Sequence, residues 1–301
     1  MNNYGMIVLM EQFIVYLALV LIGLCMGSFA GATVWRLRAR QLVQDRHNGD
    51  DVDPTEYKRL NKLTKKSLIN DHSVCLNCSY RLRWYDLIPL FSWILLGGKC
   101  RQCKKPIGYF EPLIEISVAA FFVLSYAFWP YSLNTNLEIA RLLIWLLAGI
   151  GLAILLVYDK KWSILPDSVN YMVIGLGAIS AILLILNSTN LATTSINIIS
   201  SIAILSGLYL AIYVLSKGMW IGFGDVKLGL GLGLLLADWK LAFIALFAAN
   251  LIGSLAVMPG LIMKKLKGNS HVPFGPLLIA GFVIAGLFGN LIVNWYQHLI
   301  F

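Results

Sequence analysis

The sequence predicts an all-α polytopic membrane protein of about eight transmembrane helices, with a polar, cysteine-bearing loop after the first helix. Three observations carry that prediction. Of 301 residues, 58% are hydrophobic and 13% charged, with a mean hydropathy of +0.75, against about 25% charged residues in soluble domains. The apolar residues fall in runs close to the roughly 20 residues a helix needs to cross a bilayer. The charge is concentrated: 15 Lys/Arg and 7 Asp/Glu lie between Arg36 and Phe110, net +8 of the total +9. An ordinary water-soluble enzyme is excluded.

The first span runs from Met6 to Trp35, with Glu11 as its one charge, and is too long for a signal sequence. No Lys or Arg precedes it, and Arg36, Arg38 and Arg40 follow, so the N-terminus is expected outside and the basic loop in the cytoplasm. Later loops test this orientation. Leu113–Trp129 exits to a stretch free of basic residues, and Ile139–Tyr158 returns to Lys160 and Lys161. Val169–Leu186 exits to an uncharged Ser/Thr/Asn stretch, and Ile196–Leu215 returns to Lys217. Val226–Ala237 has only 12 residues, with Gly229, Gly231 and Gly233, and reads as a short span or a re-entrant helix. Leu241–Met263 then comes back to Lys264, Lys265 and Lys267, and Pro276–Tyr296 ends outside.

Three regions follow: a first helix (1–35), a cytoplasmic loop (36–110) and a multi-helix membrane domain (111–301). Within the loop, 37–71 reads as a charged, solvated insertion with a short helix around Glu56–Leu68. The part from 73 to 105 contains Cys75-Leu76-Asn77-Cys78 and, after 21 intervening residues, Cys100-Arg101-Gln102-Cys103. Two such knuckles suit four thiolates around a tetrahedral Zn²⁺, with metal–sulfur bonds of about 2.3 Å. A zinc-ribbon-like loop is therefore expected, with a structural metal because four thiolates leave no open position. Disulfides need an oxidising compartment, which the topology denies them; free or redox-active thiols are the remaining alternative. Arg81, Arg83, Arg101, Lys104 and Lys105 could meet anionic membrane lipid or an acidic substrate segment, or serve only to set topology. Cys25, in an apolar helix, reads as a buried small hydrophobe.

Ionisable groups at membrane depth are costly and usually functional. Asp159 ends the third span, Asp167 follows Leu165-Pro166, and Asp225 closes Gly222-Phe223-Gly224-Asp225. Glycines at 222 and 224 are expected to allow positive φ and close approach of another chain segment. Asp159 and Asp225 could form an aspartic dyad, in which two carboxyls share one proton, one activating water and the other polarising a scissile carbonyl. Each has a plainer reading: Asp159 as an interfacial charge balanced by Lys160 and Lys161, Asp225 as one balanced by Lys227. Asp167 reads as a first-turn charge at a helix start.

With these residues in view, the sequence resembles the type 4 prepilin peptidases, bacterial membrane aspartic endopeptidases that also N-methylate their product. The resemblance rests on Gly222 to Asp225 (Gly-x-Gly-Asp), on Asp159 lying eight residues before the Asp of Leu165-Pro166-Asp167, and on the paired Cys-x-x-Cys motifs. Arg83 to Trp93, Gly27-Ser28-Phe29, Glu111-Pro112-Leu113-Ile114-Glu115 and Pro273-Phe274-Gly275-Pro276 also match, so nearly the whole chain is covered. The chain departs from the family at Ala30 to Thr33, where an Asn is usual, and at Arg36-Leu37-Arg38, where the family has Arg-Leu-Pro. The resemblance implies catalytic roles for Asp159 and Asp225. It implies type IV prepilin or pseudopilin substrates cut at the cytoplasmic face of the inner membrane, and S-adenosylmethionine as donor for methylation of the new N-terminus.

Two other classes remain in view. A proton- or cation-coupled transporter could use Asp159 and Asp225 as carriers, though no internal repeat accompanies them. A zinc-ribbon scaffold would need the cysteines and not the aspartates. Gly229 to Gly233 follows no strand and is no dinucleotide fingerprint; no nucleic-acid partner is expected.

Overall fold

A computed structural model describes residues 3–64, 72–262 and 273–300. The chain divides into two compact units, Met1–Val123 and Leu124–Phe301. Among the described residues the regular structure is helical apart from two isolated β-bridges, Val74 with Arg81 and Lys99 with Pro106. Among the described residues seven helices are long and apolar enough to cross a membrane, and a shorter helix covers the segment expected as a short span or a re-entrant helix.

In the first unit, α1 (Asn3–Asn48) does not stop at Trp35 but continues through the arginines. At 1.5 Å per residue its 46 residues extend roughly 70 Å, about twice a bilayer's hydrocarbon thickness. Trp35, Ala39 and Leu42, spaced i, i+4, i+7, form one stripe of this extension. They pack with Leu60 of α2 (Pro54–Leu60), with Val52, Tyr57, Leu63 and Leu76 around them. Helix α2 is started by Pro54 at its first position and by Asp53, whose carboxylate accepts the Thr55 N–H at 2.8 Å. The expected solvated insertion is thus corrected: its apolar residues build a small core of their own. The part of the expected Glu56–Leu68 helix beyond Thr64 lies outside the described residues.

A second correction concerns Cys25, which is exposed on α1 rather than buried. Opposite a different face of α1 runs α4 (Phe110–Ala127). A Cβ on Gly23 would lie 2.6 Å from Ala119 Cα, and one on Gly27 2.5 Å from Glu115 Cα. Glycines four apart therefore bring the two backbones together, as small residues do between membrane helices. Between α1 and α4 the chain forms the cysteine knuckles and α3 (Phe91–Leu95).

The second unit holds α5 (Asn136–Trp162), α6 (Asp167–Leu186), α7 (Leu191–Ile202), α8 (Leu208–Leu215), α9 (Phe223–Leu236), α10 (Trp239–Ile262) and α11 (Gly275–Ile300). A π-helical turn, Ala203–Gly207, joins α7 to α8 in one span. Helix α9, with 14 residues, is roughly 21 Å long, yet most of its residues are buried. It begins level with α6, where Lys227 Nζ meets Asp167 Oδ1 at 2.7 Å. It ends against Ala181 and Ile198, so it accompanies most of α6. Its glycines make this enclosure possible. A Cβ on Gly229 would collide with the Leu205 carbonyl; on Gly231 it would sit 2.9 Å from Val173 Cγ1, and on Gly233 3.0 Å from Ile202 Cα. Ser201 and Ser206 donate hydroxyl hydrogen bonds to the Gly233 and Val226 carbonyls at 2.8 and 2.9 Å. Such bonds satisfy hydroxyls that the apolar surroundings would otherwise leave costly.

Gly229→Ala should therefore destabilise the protein by about 1–3 kcal/mol through overpacking. Gly175→Ala, where a Cβ meets nothing within 4 Å, should be neutral or stabilising. Thermal midpoints in one detergent compare the two variants; equal midpoints would contradict the close packing of α9.

Candidate active site

Asp159 lies in the last turn of α5 and is 6% exposed. That helix ends where Ser163 takes a left-handed conformation, φ 52°, its N–H bonded to the Asp159 carbonyl at 2.8 Å. The turn leaves the Asp159 carboxylate facing the start of α11, where Oδ2 accepts the Gly275 N–H at 3.0 Å. A Cβ at 275 would stand 2.8 Å from that same oxygen, so a larger residue there would displace the carboxylate.

Asp225 lies in the first turn of α9, its N–H bonded to the Gly222 carbonyl at 3.1 Å. It stands within the electrostatic reach of Asp159, so the structure brings the two carboxyls together from different helices. Its Oδ1 is buried and has no hydrogen-bond partner among the described residues. Lys227, the residue expected to balance Asp225, is committed elsewhere. It pairs with Asp167 and lies over the Tyr171 and Phe223 rings, 5.2 Å from each centroid. Asp167, at the first position of α6, is thus the Lys227 partner as well as a first-turn charge.

The glycines of the Gly-x-Gly-Asp motif do not act as expected. Gly222 has φ −76° and Gly224 is helical, so neither uses positive φ. What Gly224 supplies is space: a Cβ there would be 3.0 Å from Leu165 Cβ, in the segment joining α5 to α6. The close-approach half of the expectation describes the geometry, and the backbone-conformation half is corrected. Fully buried Asn170 of α6 reaches the Gly224 carbonyl at 3.5 Å. One carboxyl is thus fixed by an amide, the other has an open oxygen, and each is close enough to influence the other's charge.

In the first unit the four cysteines converge. Their Sγ atoms all lie within 4.8 Å of one another, with Cys75–Cys103 and Cys78–Cys100 each at 3.9 Å. A tetrahedron with bonds of about 2.3 Å has edges of about 3.8 Å, so the four thiols could hold a metal ion, and none is in a disulfide. The knuckles are copies of each other. Cys75 N bonds Tyr80 O and Cys100 N bonds Lys105 O, each at 2.9 Å. Ser79 and Lys104 take φ of 63° and 57° at equivalent positions. Burial pushes the Cys75 thiol up to about 11. At Cys100 burial is outweighed by the Cys103 and Gln102 amides together with the Cys75 and Cys103 thiols, which bring it down to about 7. The segment between the knuckles is braced by Asp86, whose carboxylate accepts from Arg101 Nε at 2.8 Å, and by Trp93, whose indole donates to the Gly108 carbonyl at 2.8 Å.

Several groups at these sites were not singled out as site residues from the sequence. Glu115, buried in α4, accepts the Leu90 N–H at 2.7 Å and meets Ser28, which gives the Gly27-Ser28-Phe29 and Glu111–Glu115 motifs a shared position. Gly275 was visible only as part of a family motif.

Known proteins match both halves. Residues 21–129 match the family model for the bacterial peptidase A24 N-terminal domain, and 142–258 that of the type IV leader peptidase family. An Escherichia coli protein, the type 4 prepilin-like proteins leader peptide-processing enzyme, is 31% identical over 86% of this chain and 88% of its own. The chain belongs to the type IV leader peptidase family. The prepilin leader peptidase/N-methyltransferase of Legionella pneumophila is 28% identical, covering 93% of this chain and 94% of its own, and that of Pseudomonas aeruginosa 27%, covering 93% and 92%. No solved structure matches the chain. Within this leader peptidase the N-terminal match contains the four cysteines, and the second contains Asp159 and Asp225.

Elemental analysis of the purified leader peptidase should find one equivalent of a thiophilic divalent metal. Because the ligands must be thiolates, affinity should fall as pH is lowered. Cys78→Ser and Cys103→Ser should lose the metal; a metal-free wild type with four readily alkylated thiols would contradict the site.

Proposed function

We propose that the protein is a membrane aspartic endopeptidase that removes the basic leader of type IV prepilins or pseudopilins at the cytoplasmic face of the inner membrane, and N-methylates the new terminus. The observation that carries this reading is the meeting of Asp159 and Asp225, with Gly275 donating to one carboxylate and a buried oxygen of the other left open. The names of the relatives supply the substrate class. The face follows from charge: the two aspartates lie at the helix ends that carry Lys160, Lys161 and Lys227, and basic residues mark the cytoplasmic side. The same rule puts the N-terminus outside and the cysteine loop in the cytosol.

In the reaction the ionised carboxyl of the pair takes a proton from water as its oxygen attacks the scissile carbonyl carbon, while the protonated carboxyl donates to the carbonyl oxygen. The leaving amine then takes the proton held by the first carboxyl, and the carbonyl re-forms as its proton returns to the second. Gly275 orients Asp159 throughout. The transporter reading has no comparable support, since the relatives are named as leader-processing enzymes.

For the cysteine group, Zn²⁺ fits the four-thiolate set and would be structural, holding the two knuckles together. For methylation, S-adenosylmethionine would supply an activated methyl on a sulfonium cation. The first unit has a cavity of about 210 Å³ walled by Trp35, Trp93, Glu111 and Glu115, with Arg36, Arg59 and the Asp86–Arg101 pair also on its wall; the indole faces and the two glutamates are the groups there that suit a cation. These residues would hold the donor and exclude water from it.

Asp159→Asn and Asp225→Asn should each lower prepilin cleavage by at least about 10²–10⁴-fold, with methylation of pre-cleaved pilin retained. Undiminished cleavage by both would overturn the mechanism. Gly275→Ala, which pushes on Asp159 without removing a carboxyl, should cost about 10²-fold, read in the same gel assay.

A further inference from the structure

The pairing of the α7–α8 span with α9 follows a regular antiparallel register. Ser201 donates to the Gly233 carbonyl, and one turn on, the Leu205 carbonyl lies against Gly229. Each step of four along one helix is matched by four back along the other, as ridge-to-groove packing requires. The next step in this register pairs Tyr209 with Asp225. Its neighbour contact, Ser206 hydroxyl to Val226 carbonyl at 2.9 Å, agrees with that alignment, and Tyr209 stands within the electrostatic reach of Asp225.

Tyr209 is 3% exposed, and its hydroxyl makes no hydrogen bond of good geometry among the described residues. Asn250 approaches it from α10, giving one amide N–H to the Leu246 carbonyl at 2.8 Å, but makes no well-formed hydrogen bond to the hydroxyl. Buried hydroxyls normally find partners, and a tyrosine without one invites explanation. The explanation stands beside it: Asp225 Oδ1 is also buried and also without a partner. One is a donor and the other an acceptor. The tyrosine ring meets Phe274 with centroids 5.2 Å apart, and Phe274 immediately precedes Gly275, the donor to Asp159. Tyr209 thus packs on the residue before Gly275 and lies within electrostatic reach of Asp225.

We propose that Tyr209 is a positioning residue of the peptidase site, its hydroxyl donating to the open oxygen of Asp225 directly or through one water. This rests on the reading of Asp159 and Asp225 as the cleaving pair. The hydroxyl fixes the rotamer of the Asp225 carboxyl so that the oxygen facing the substrate is the one that exchanges a proton with it. The ring, through Phe274, holds the segment that bears Gly275. Tyrosine suits this position because the ring can be buried while a single donor is spent on the carboxylate; phenylalanine would keep the packing and leave Asp225 unfixed.

The test is Tyr209→Phe in the full-length protein, with prepilin cleavage, methylation of pre-cleaved pilin and thermal midpoint measured together. The expected result is a fall in kcat of about ten- to hundredfold, the range for one hydrogen bond to a charged group. KM should stay within about twofold, and methylation and midpoint should be unchanged. Tyr296→Phe, on an exposed tyrosine near the end of α11, should behave as wild type. Wild-type kcat in Tyr209→Phe would overturn the proposal. So would a loss matched by lower methylation or a lower midpoint, because the hydroxyl would then serve stability alone. Full cleavage by Asp225→Asn would instead overturn the underlying assignment of the pair, so the two failures are distinguishable.

Discussion

Helix α9 has no room for a side chain on the faces it turns to its neighbours at Gly229, Gly231 and Gly233, where its backbone lies against α7, α6 and the π turn. This close contact is the constraint on which the site depends. A carboxylate at the end of an apolar helix can be fixed only if the helix itself cannot rotate or slide. Glycines that let three backbones meet provide that fixity, at the cost of the helix propensity that side chains would have contributed. Serine hydroxyls bonded to α9 carbonyls add direction to what would otherwise be non-directional packing. Asp225, in the first turn, inherits its position from the rest of α9.

The second requirement is electrical. A carboxylate inside an apolar bundle is tolerated when a partner or a proton compensates it. The structure keeps the obvious compensating cation away from Asp225 by pairing Lys227 with Asp167. Among the described residues it gives Asp159 an amide donor, Gly275, rather than an ion partner. The result is two acids with few competitors for their protons, which is the condition for acid–base work. The cysteine knuckles of the first unit solve a separate problem: a short polar segment without a large core is held by convergent thiols, by the Asp86–Arg101 pair and by Trp93.

Much of this was legible in the sequence, and the parts that were not have specific causes. The spans and the loop could be read because apolar length and basic flanks are local signals. The cysteines could be read because knuckle spacing is itself the geometry. The extension of α1 past Trp35 was hidden because Arg36, Arg38 and Arg40 interrupt the apolar run, although Arg38 lies beside the Trp35, Ala39, Leu42 stripe and pairs with Glu56 of α2. Lys227 was assigned to the wrong aspartate by proximity in sequence; residues two apart on a helix point in nearly opposite directions, so Asp225 could not face it. The Gly275 donor lies 116 residues from Asp159, and no periodicity reports such a contact. The glycines at 222 and 224 were correctly singled out for the wrong conformational reason: helix packing requires a missing Cβ as often as turns require a positive φ.

The central claim is that Asp159 and Asp225 together stabilise a tetrahedral, water-derived transition state. Its most direct test is the affinity of a leader peptide in which a hydroxyl-bearing isostere replaces the scissile amide. The account predicts that the wild-type protein binds this peptide at least about 10²-fold more tightly than the unmodified one, as transition-state analogues do. The advantage should vanish in Asp159→Asn and in Asp225→Asn. Equal affinity for the two peptides in the wild type, or an advantage that survives loss of either carboxylate, would contradict it.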